Sequence, residues 1–221
     1  MTQLAITAKT RMPTPAPDLE ALVRRHQTGV WRYLRCLGAD LQLAEDLLQD
    51  TFLVAFRRLE QDRGDAAVAT FLRTTARHLY LRRRRDEGRR EELLVELAEQ
   101  LWQRDCAGDD GEQWLQALQQ CVQSLEGRPQ QAVTWFYGEG RDRASVAAAM
   151  GMKENGLKTL LQRVRATLQR VHRATSRRCA MSGERDRDEV FERRLDWGLR
   201  EMAGGERVPD VTARVLARHA A

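Results

Sequence analysis

Three groups of polar side chains in this 221-residue chain stand at spacings that can do chemistry. In the first, Glu45, Asp46, Gln49, Asp50 and Leu53 fall on one face of a helix. Ala44, Leu47, Leu48, Thr51, Phe52, Ala55, Phe56 and Leu59 make an apolar stripe on the other. Clustered carboxylates and an amide beside one exposed leucine suit charge-assisted contacts with a basic partner. The same pattern also describes a solvated acidic surface. The second group is a run of eight arginines between residues 71 and 90, set against only Asp86 and Glu87. The third lies at 153–178, where eight lysines and arginines oppose Glu154 alone. Basic blocks of this density are the electrostatic footprint of phosphate binding.

Catalytic chemistry has no comparable support. There is no acid/base pair, nucleophile constellation or phosphate-cradling loop, so the chain reads as not an enzyme and as needing no cofactor. Cys36, Cys106, Cys121 and Cys179 are scattered, without a C-x-x-C pair or a histidine at ligand spacing. That pattern predicts no metal and no disulfide framework, and reduced cytoplasmic thiols. His26 sits on an apolar helical stripe and is expected in a core, while His172 and His219 have no companions. No run approaches the apolar length of a transmembrane helix. Residues 1–17 carry Pro13, Pro15 and Pro17 and read as a disordered lead, with Met1 and Met12 both candidate starts.

The elements that must position these groups are helices throughout. Aromatic content of 6% and charged content of 31% fit two small helical domains better than one large core. A first helix carries Leu19, Leu22, Val23, His26, Val30, Leu34 and Leu37 at helical spacing and stops at Gly38. The acidic-faced helix follows over 41–60 with Asp40 as its N-cap. After a polar break around Gly64, a third helix runs into Arg82–Arg85. Residues 91–126 then hold nine acids against Arg104, with Glu91–Trp102 as a short amphipathic stretch and 105–111 as flexible linker. Trp114, Leu115, Leu118, Val122 and Leu125 open a second helical unit. Asp142–Met150, Gly151 and Lys153–Arg173 outline a helix-turn-helix. Its outward residues are Lys153, Glu154, Asn155, Lys158, Thr159, Gln162 and Arg163.

The order of these elements, together with Ala44-Glu45-Asp46-Leu47-Leu48-Gln49-Asp50-Thr51-Phe52, resembles the extracytoplasmic-function (ECF) group of bacterial sigma-70 family RNA polymerase sigma factors. Phe71–His78 is similar to the following helix of that group's region 2, and Leu125–Arg170 to its region 4. The resemblance covers residues 18–172. It implies an all-α protein: a three-helix region 2 bundle at 18–90, an acidic linker at 91–113 and a helix-turn-helix region 4 at 114–178; residues 179–221 read, from their own periodicity, as a helical extension. Its implied partners are core RNA polymerase, through the β′ coiled coil and β flap, and promoter DNA.

By the same resemblance, Asp46, Gln49, Asp50 and Leu53 dock on the β′ coiled coil. Arg63, Phe71, Arg73, Arg77, His78 and Arg82 engage the melted −10 element. Arg143, Lys153, Asn155, Lys158, Thr159, Gln162 and Arg163 face the −35 element. The chain departs from the family pattern at Phe71 (usually Trp), His78 (usually Asn), Arg82 (usually Asp), Ser145 (usually Glu) and Leu160, where a basic residue is common.

 Lys153 stands where a Ser or Thr cap is usual, a loss on the order of 1 kcal/mol unless Asn155 takes over the capping.

Residues 181–221 lie beyond the two modules of the resemblance. Asp188–Met202 is an amphipathic helix with Val190, Phe191, Leu195 and Leu199 as apolar positions and Trp197 at the edge of the stripe. Gly204-Gly205 breaks it, and Val211–Arg218 is a last short helix. Two roles are open for this segment: a packing helix that completes region 4, or a regulatory extension that covers a DNA or polymerase surface in place of a separate anti-sigma factor. Met181 also allows a fused second reading frame. Two alternatives to the sigma-factor reading stand beside it: a helix-turn-helix DNA-binding regulator acting without polymerase docking, and a protein interaction module that does not bind DNA.

Overall fold

A computed structural model describes residues 19–58, 64–175, 184–202, 204 and 207–220. Among these residues there is no strand, in line with the all-α expectation. Arg63 and Leu59 lie outside the described residues, as does the 1–17 lead.

The first three helices are α1 (Leu19–Leu37), α2 (Leu41–Arg58) and α3 (Asp65–Arg83), packed on one another. The α1 stripe buries Leu19, Val23, His26, Val30 and Leu34, the three-and-four spacing visible in the sequence. Gly38 closes α1 at φ +105°, a conformation other residues adopt only with strain. Asp40 caps α2, its Oδ1 accepting from the Leu43 amide at 2.9 Å. That cap fixes the start of the acidic helix and so the phase of its two faces.

The acidic connector is itself ordered. Helix α4 (Gly88–Asp105) buries Glu91, Leu94, Val95, Ala98 and Trp102, an i, i+3, i+4, i+7, i+11 stripe. It packs against α1, and Trp102 meets the Tyr33 ring edge-on at 5.4 Å. The turn after α4 presses on α1 at Gly29, where an added Cβ would lie 2.4 Å from the Asp110 carboxyl carbon. A side chain there would drive this turn away.

The second module comprises α5 (Glu112–Gln123), α6 (Arg128–Val133), α7 (Arg143–Ala149) and α8 (Glu154–Thr175). A π-helical turn over Thr134–Gly138 follows α6, with the Glu139 amide bonded to the Thr134 carbonyl. The extra residue turns Tyr137 inward, where its hydroxyl accepts from Arg165 Nε at 2.9 Å. Asp142 caps α7 by accepting from the Ser145 amide at 2.9 Å, and Gly151 makes the turn into α8 at φ +63°. The helix-turn-helix outline is therefore present with its expected punctuation.

The extension supplies α9 (Glu184–Met202) and α10 (Thr212–Ala220). Helix α9 packs against α1 and α4 on one side, and against α5, α8 and the π turn on the other. Trp197, expected at the stripe edge, is only 1% exposed and stacks on Trp114 with centroids 5.3 Å apart. The reason is a tertiary partner 83 residues away in sequence, which helical periodicity does not register. The close stacking needs Gly198, whose added Cβ would meet the Trp114 ring at 2.4 Å.

Candidate functional site

The acidic face of α2 and the outer face of α8 are the two surfaces to which the sequence directs attention, and the structure treats them differently. On α2, burial of Ala44, Leu47, Leu48, Thr51, Phe52 and Ala55 against α1 and α3 leaves Glu45, Asp46, Asp50 and Leu53 partly exposed. Gln49, expected to face solvent, is 6% exposed. Helix α10 lies against α2 and α1. Arg214 pairs with Glu45, Arg218 reaches Asp50 Oδ1 at 3.3 Å, and the His219 ring meets the Phe56 ring at 3.8 Å. Glu45, Gln49 and Phe56 follow each other at helical spacing, so Gln49 lies on the covered strip. Asp46 stands beside it, accepting from Gln42 Nε2 at 3.4 Å.

On α8 the situation is the reverse. Arg143 on α7, Lys153 before α8, and Asn155, Lys158, Thr159, Gln162 and Arg163 on α8 are all exposed. Leu157, Leu161, Val164 and Leu168 fill the opposite stripe and hold the helix to its module. The Gly156 and Leu157 amides bond to the Lys153 carbonyl at 2.8 and 3.1 Å, so the helix starts where the sequence places it. The result is an uncovered row of cations and amides on the second helix of a helix-turn-helix, the geometry that meets phosphates and base edges in a major groove.

The residues expected at the −10 element divide. His78 and Arg82 on α3 are exposed and Phe71 is half-buried. Arg73 is 8% exposed, and its Nη2 donates to Thr70 Oγ1 at 3.3 Å. Arg77 is engaged by α4, donating to Glu96 Oε2 at 2.8 Å. Acidic groups of the connector thus sit against the basic helix. Burial raises the Asp110 carboxyl above its ordinary range, and the nearby charges of Arg73, His26 and Arg32 act against that rise. His26 is pushed below its ordinary value, first by burial; Asp65, 3.2 Å from Nε2, acts the other way.

Sequence reasoning missed the charges that join the extension to the modules. Arg193 makes two bonds to the Glu91 carboxylate, at 2.9 and 3.1 Å, and a third to the Leu37 carbonyl at 3.2 Å. Tyr80 Oη donates to the same carboxylate at 2.7 Å. Burial alone would raise the Glu91 carboxyl, but the bonds from Arg193 and Tyr80 and the Arg193 charge hold it below the ordinary range. Arg194 is fully buried, bonded to Asp105 Oδ2 at 2.7 Å, with its guanidinium 4.2 Å from the Trp114 ring centre. Glu201 links Arg32 of α1, at 2.7 Å, to Trp197 Nε1, at 2.8 Å. The available signal was the tail's composition, eight arginines among nine acids on amphipathic helices, which marks paired charge without naming partners.

Metal binding has no support among the described residues, which hold no cluster of three or more ligating side chains. No described helix is long and apolar enough to cross a membrane.

Residues 22–90 match the family profile Sigma-70 region 2, and residues 115–168 match Sigma-70, region 4. The two profiles fall on the α1–α3 and α5–α8 modules in order. The chain belongs to the sigma-70 family. Its two-module layout is that of an ECF-type member. Among sigma-70 relatives, the chain is similar to RNA polymerase sigma factor YlaC of Bacillus subtilis, 26% identical over 69% of this chain and 91% of YlaC. It is also similar to Probable RNA polymerase sigma factor RfaY of Xanthomonas campestris, 28% identical over 66% of this chain. That second match spans 38% of the length of RfaY. A chain of the solved RsbN–BldN complex is 26% identical, with 71% of this chain and 93% of that one covered and a TM-score of 0.26. The sigma-70 profiles end at residue 168, so α9 and α10 lie outside both.

Proposed function

We propose that this sigma-70 family member is an ECF-type RNA polymerase sigma factor that binds core polymerase and directs promoter recognition and transcription initiation in the cytoplasm. The observation that carries this reading is the pairing of two modules in family order, one bearing an acidic-faced helix and the other an exposed basic recognition helix. Asp46, Gln49, Asp50 and Leu53 on α2 form the docking face for the β′ coiled coil, with carboxylates supplying orientation and Leu53 apolar area. Region 4 contacts the β flap while α8 reads the −35 element, largely through phosphates and through a few base edges from Asn155 and Gln162.

Helix α3 engages the opened −10 strand through Phe71, His78 and Arg82, joined by Arg63, which precedes the helix in sequence. Arg73 and Arg77 join them once the connector's acids withdraw, since Glu96 now occupies Arg77. The bond-making chemistry belongs to the polymerase.

The test is retention of core polymerase by the immobilised full chain, wild type against Asp46→Arg/Asp50→Arg. Wild type retains polymerase and the double variant loses it. Failure of the wild type to retain polymerase, together with salt-sensitive binding to promoter duplex alone, would replace this reading with that of an independent DNA-binding regulator.

A further inference from the structure

Helix α10 places cations on the strip of α2 that a basic partner would otherwise meet. Arg214 pairs with Glu45 and Arg218 with Asp50, while His219 covers Phe56. Val211 and Val215, both fully buried, seat the helix on the same side. Its start is set by Asp210, whose carboxylate accepts from the Thr212 amide at 2.9 Å. The contact is therefore a phased one, with apolar residues inward and arginines one turn apart reaching the carboxylates.

We infer that α10 is a built-in competitor for the polymerase-docking face of α2, so that the chain carries its own reversible cover for that surface. The inference rests on the reading of α2 as the docking face. Three features of the structure make the cover displaceable rather than permanent. Arg214 and Arg218 are each about half exposed, and ion pairs in that setting contribute little. A helix of nine residues has little stability of its own. Helix α9, by contrast, is held by buried charge pairs to α1 and α4 and by the Trp114–Trp197 stack on the second module, so α10 stays tethered beside α2 even when detached. Such a tether gives an effective concentration in the millimolar range, enough for weak contacts to compete. The partner that displaces α10 must present what α10 presents, an arginine- or lysine-bearing helical surface with an apolar centre.

The outward row of α8, from Lys153 to Arg163, is left exposed in the same structure, so the cover acts on polymerase docking and not on the DNA-facing residues.

The test is the equilibrium affinity of the full chain for purified core RNA polymerase, compared among wild type, Arg214→Glu/Arg218→Glu, and that double variant with Asp46→Arg added. Loss of two rim pairs that each contribute up to about fivefold predicts binding roughly tenfold tighter for the double variant. The milder Arg214→Ala/Arg218→Ala moves the same way by about threefold, and serves if charge reversal disturbs folding. Adding Asp46→Arg abolishes binding. Equal affinity of wild type and both arginine variants, with Asp46→Arg still abolishing binding, overturns the cover and leaves the docking face standing. Absence of binding throughout, or binding that Asp46→Arg does not weaken, overturns the docking reading and the cover with it.

Discussion

The two helices of the extension hold the rest of the chain in different ways. Helix α9 lies between the modules with Val190, Leu195, Trp197 and Leu199 at most 1% exposed, and it buries Arg194 completely. Helix α10 buries one short apolar edge and meets its partner helix through arginines that remain about half exposed. Charges removed from water are costly to leave unpaired, whereas exposed pairs contribute about 0–1 kcal/mol. The difference separates an architectural helix from a detachable one within a single 37-residue stretch, Glu184–Ala220.

The strongest way to break the comparison is Asp105→Ala. It strands the buried Arg194 guanidinium, whose Nε and Nη2 already have no hydrogen-bond partner, and should cost about 3–5 kcal/mol. Urea unfolding followed by tryptophan fluorescence measures it, because Trp114 and Trp197 report the α9 contact. A loss below about 1 kcal/mol would place α9 in the same class as α10.

Next is Gly198→Ala on α9, where the new methyl would lie 2.4 Å from Trp114 and 2.8 Å from Leu118. Overpacking of this kind costs about 1–3 kcal/mol and should weaken the Trp114–Trp197 stack. Near-ultraviolet circular dichroism, which senses that indole pair, should lose intensity. An unchanged spectrum and midpoint would mean that α9 is as loosely seated as α10.

The smallest effect is pH-linked. Glu91 titrates below its ordinary value of 4.5 in the folded chain, so the unfolded chain binds the proton more readily. Its contribution is thus fully present above 4.5 and is lost as pH falls through the lower folded value. Wild type should lose more stability than Glu91→Gln between about pH 6 and pH 3. Parallel losses in the two proteins would show that the Arg193–Glu91 link does not secure α9.

Much of this architecture can be read locally. Asp40, Gly38, Asp142 and Gly151 mark helix ends because capping and left-handed backbone depend on the residue itself. The exposed row on α8 is legible for the same reason, since helical spacing alone separates it from Leu157, Leu161 and Val164. What joins α9 and α10 to the modules is not local. Arg194 and Asp105 are 89 positions apart, and Arg218 and Asp50 are 168 apart, so each reads in isolation as a surface charge. Arg73 and Arg77 likewise read as free cations until α4 brings Glu96 and the turn after α4 brings Asp110. Periodicity gives the faces of helices, and partners at long range decide which faces stay open.

Hydrogen–deuterium exchange of the full chain, with and without core polymerase, reads the displacement of α10 from α2 at the level of individual helices. Amides of α10 should lose protection on polymerase binding, while those of α9 and of the α2 acidic face stay protected, one because α9 remains docked and the other because polymerase has replaced α10. Undiminished protection of α10 in the polymerase complex would contradict that displacement.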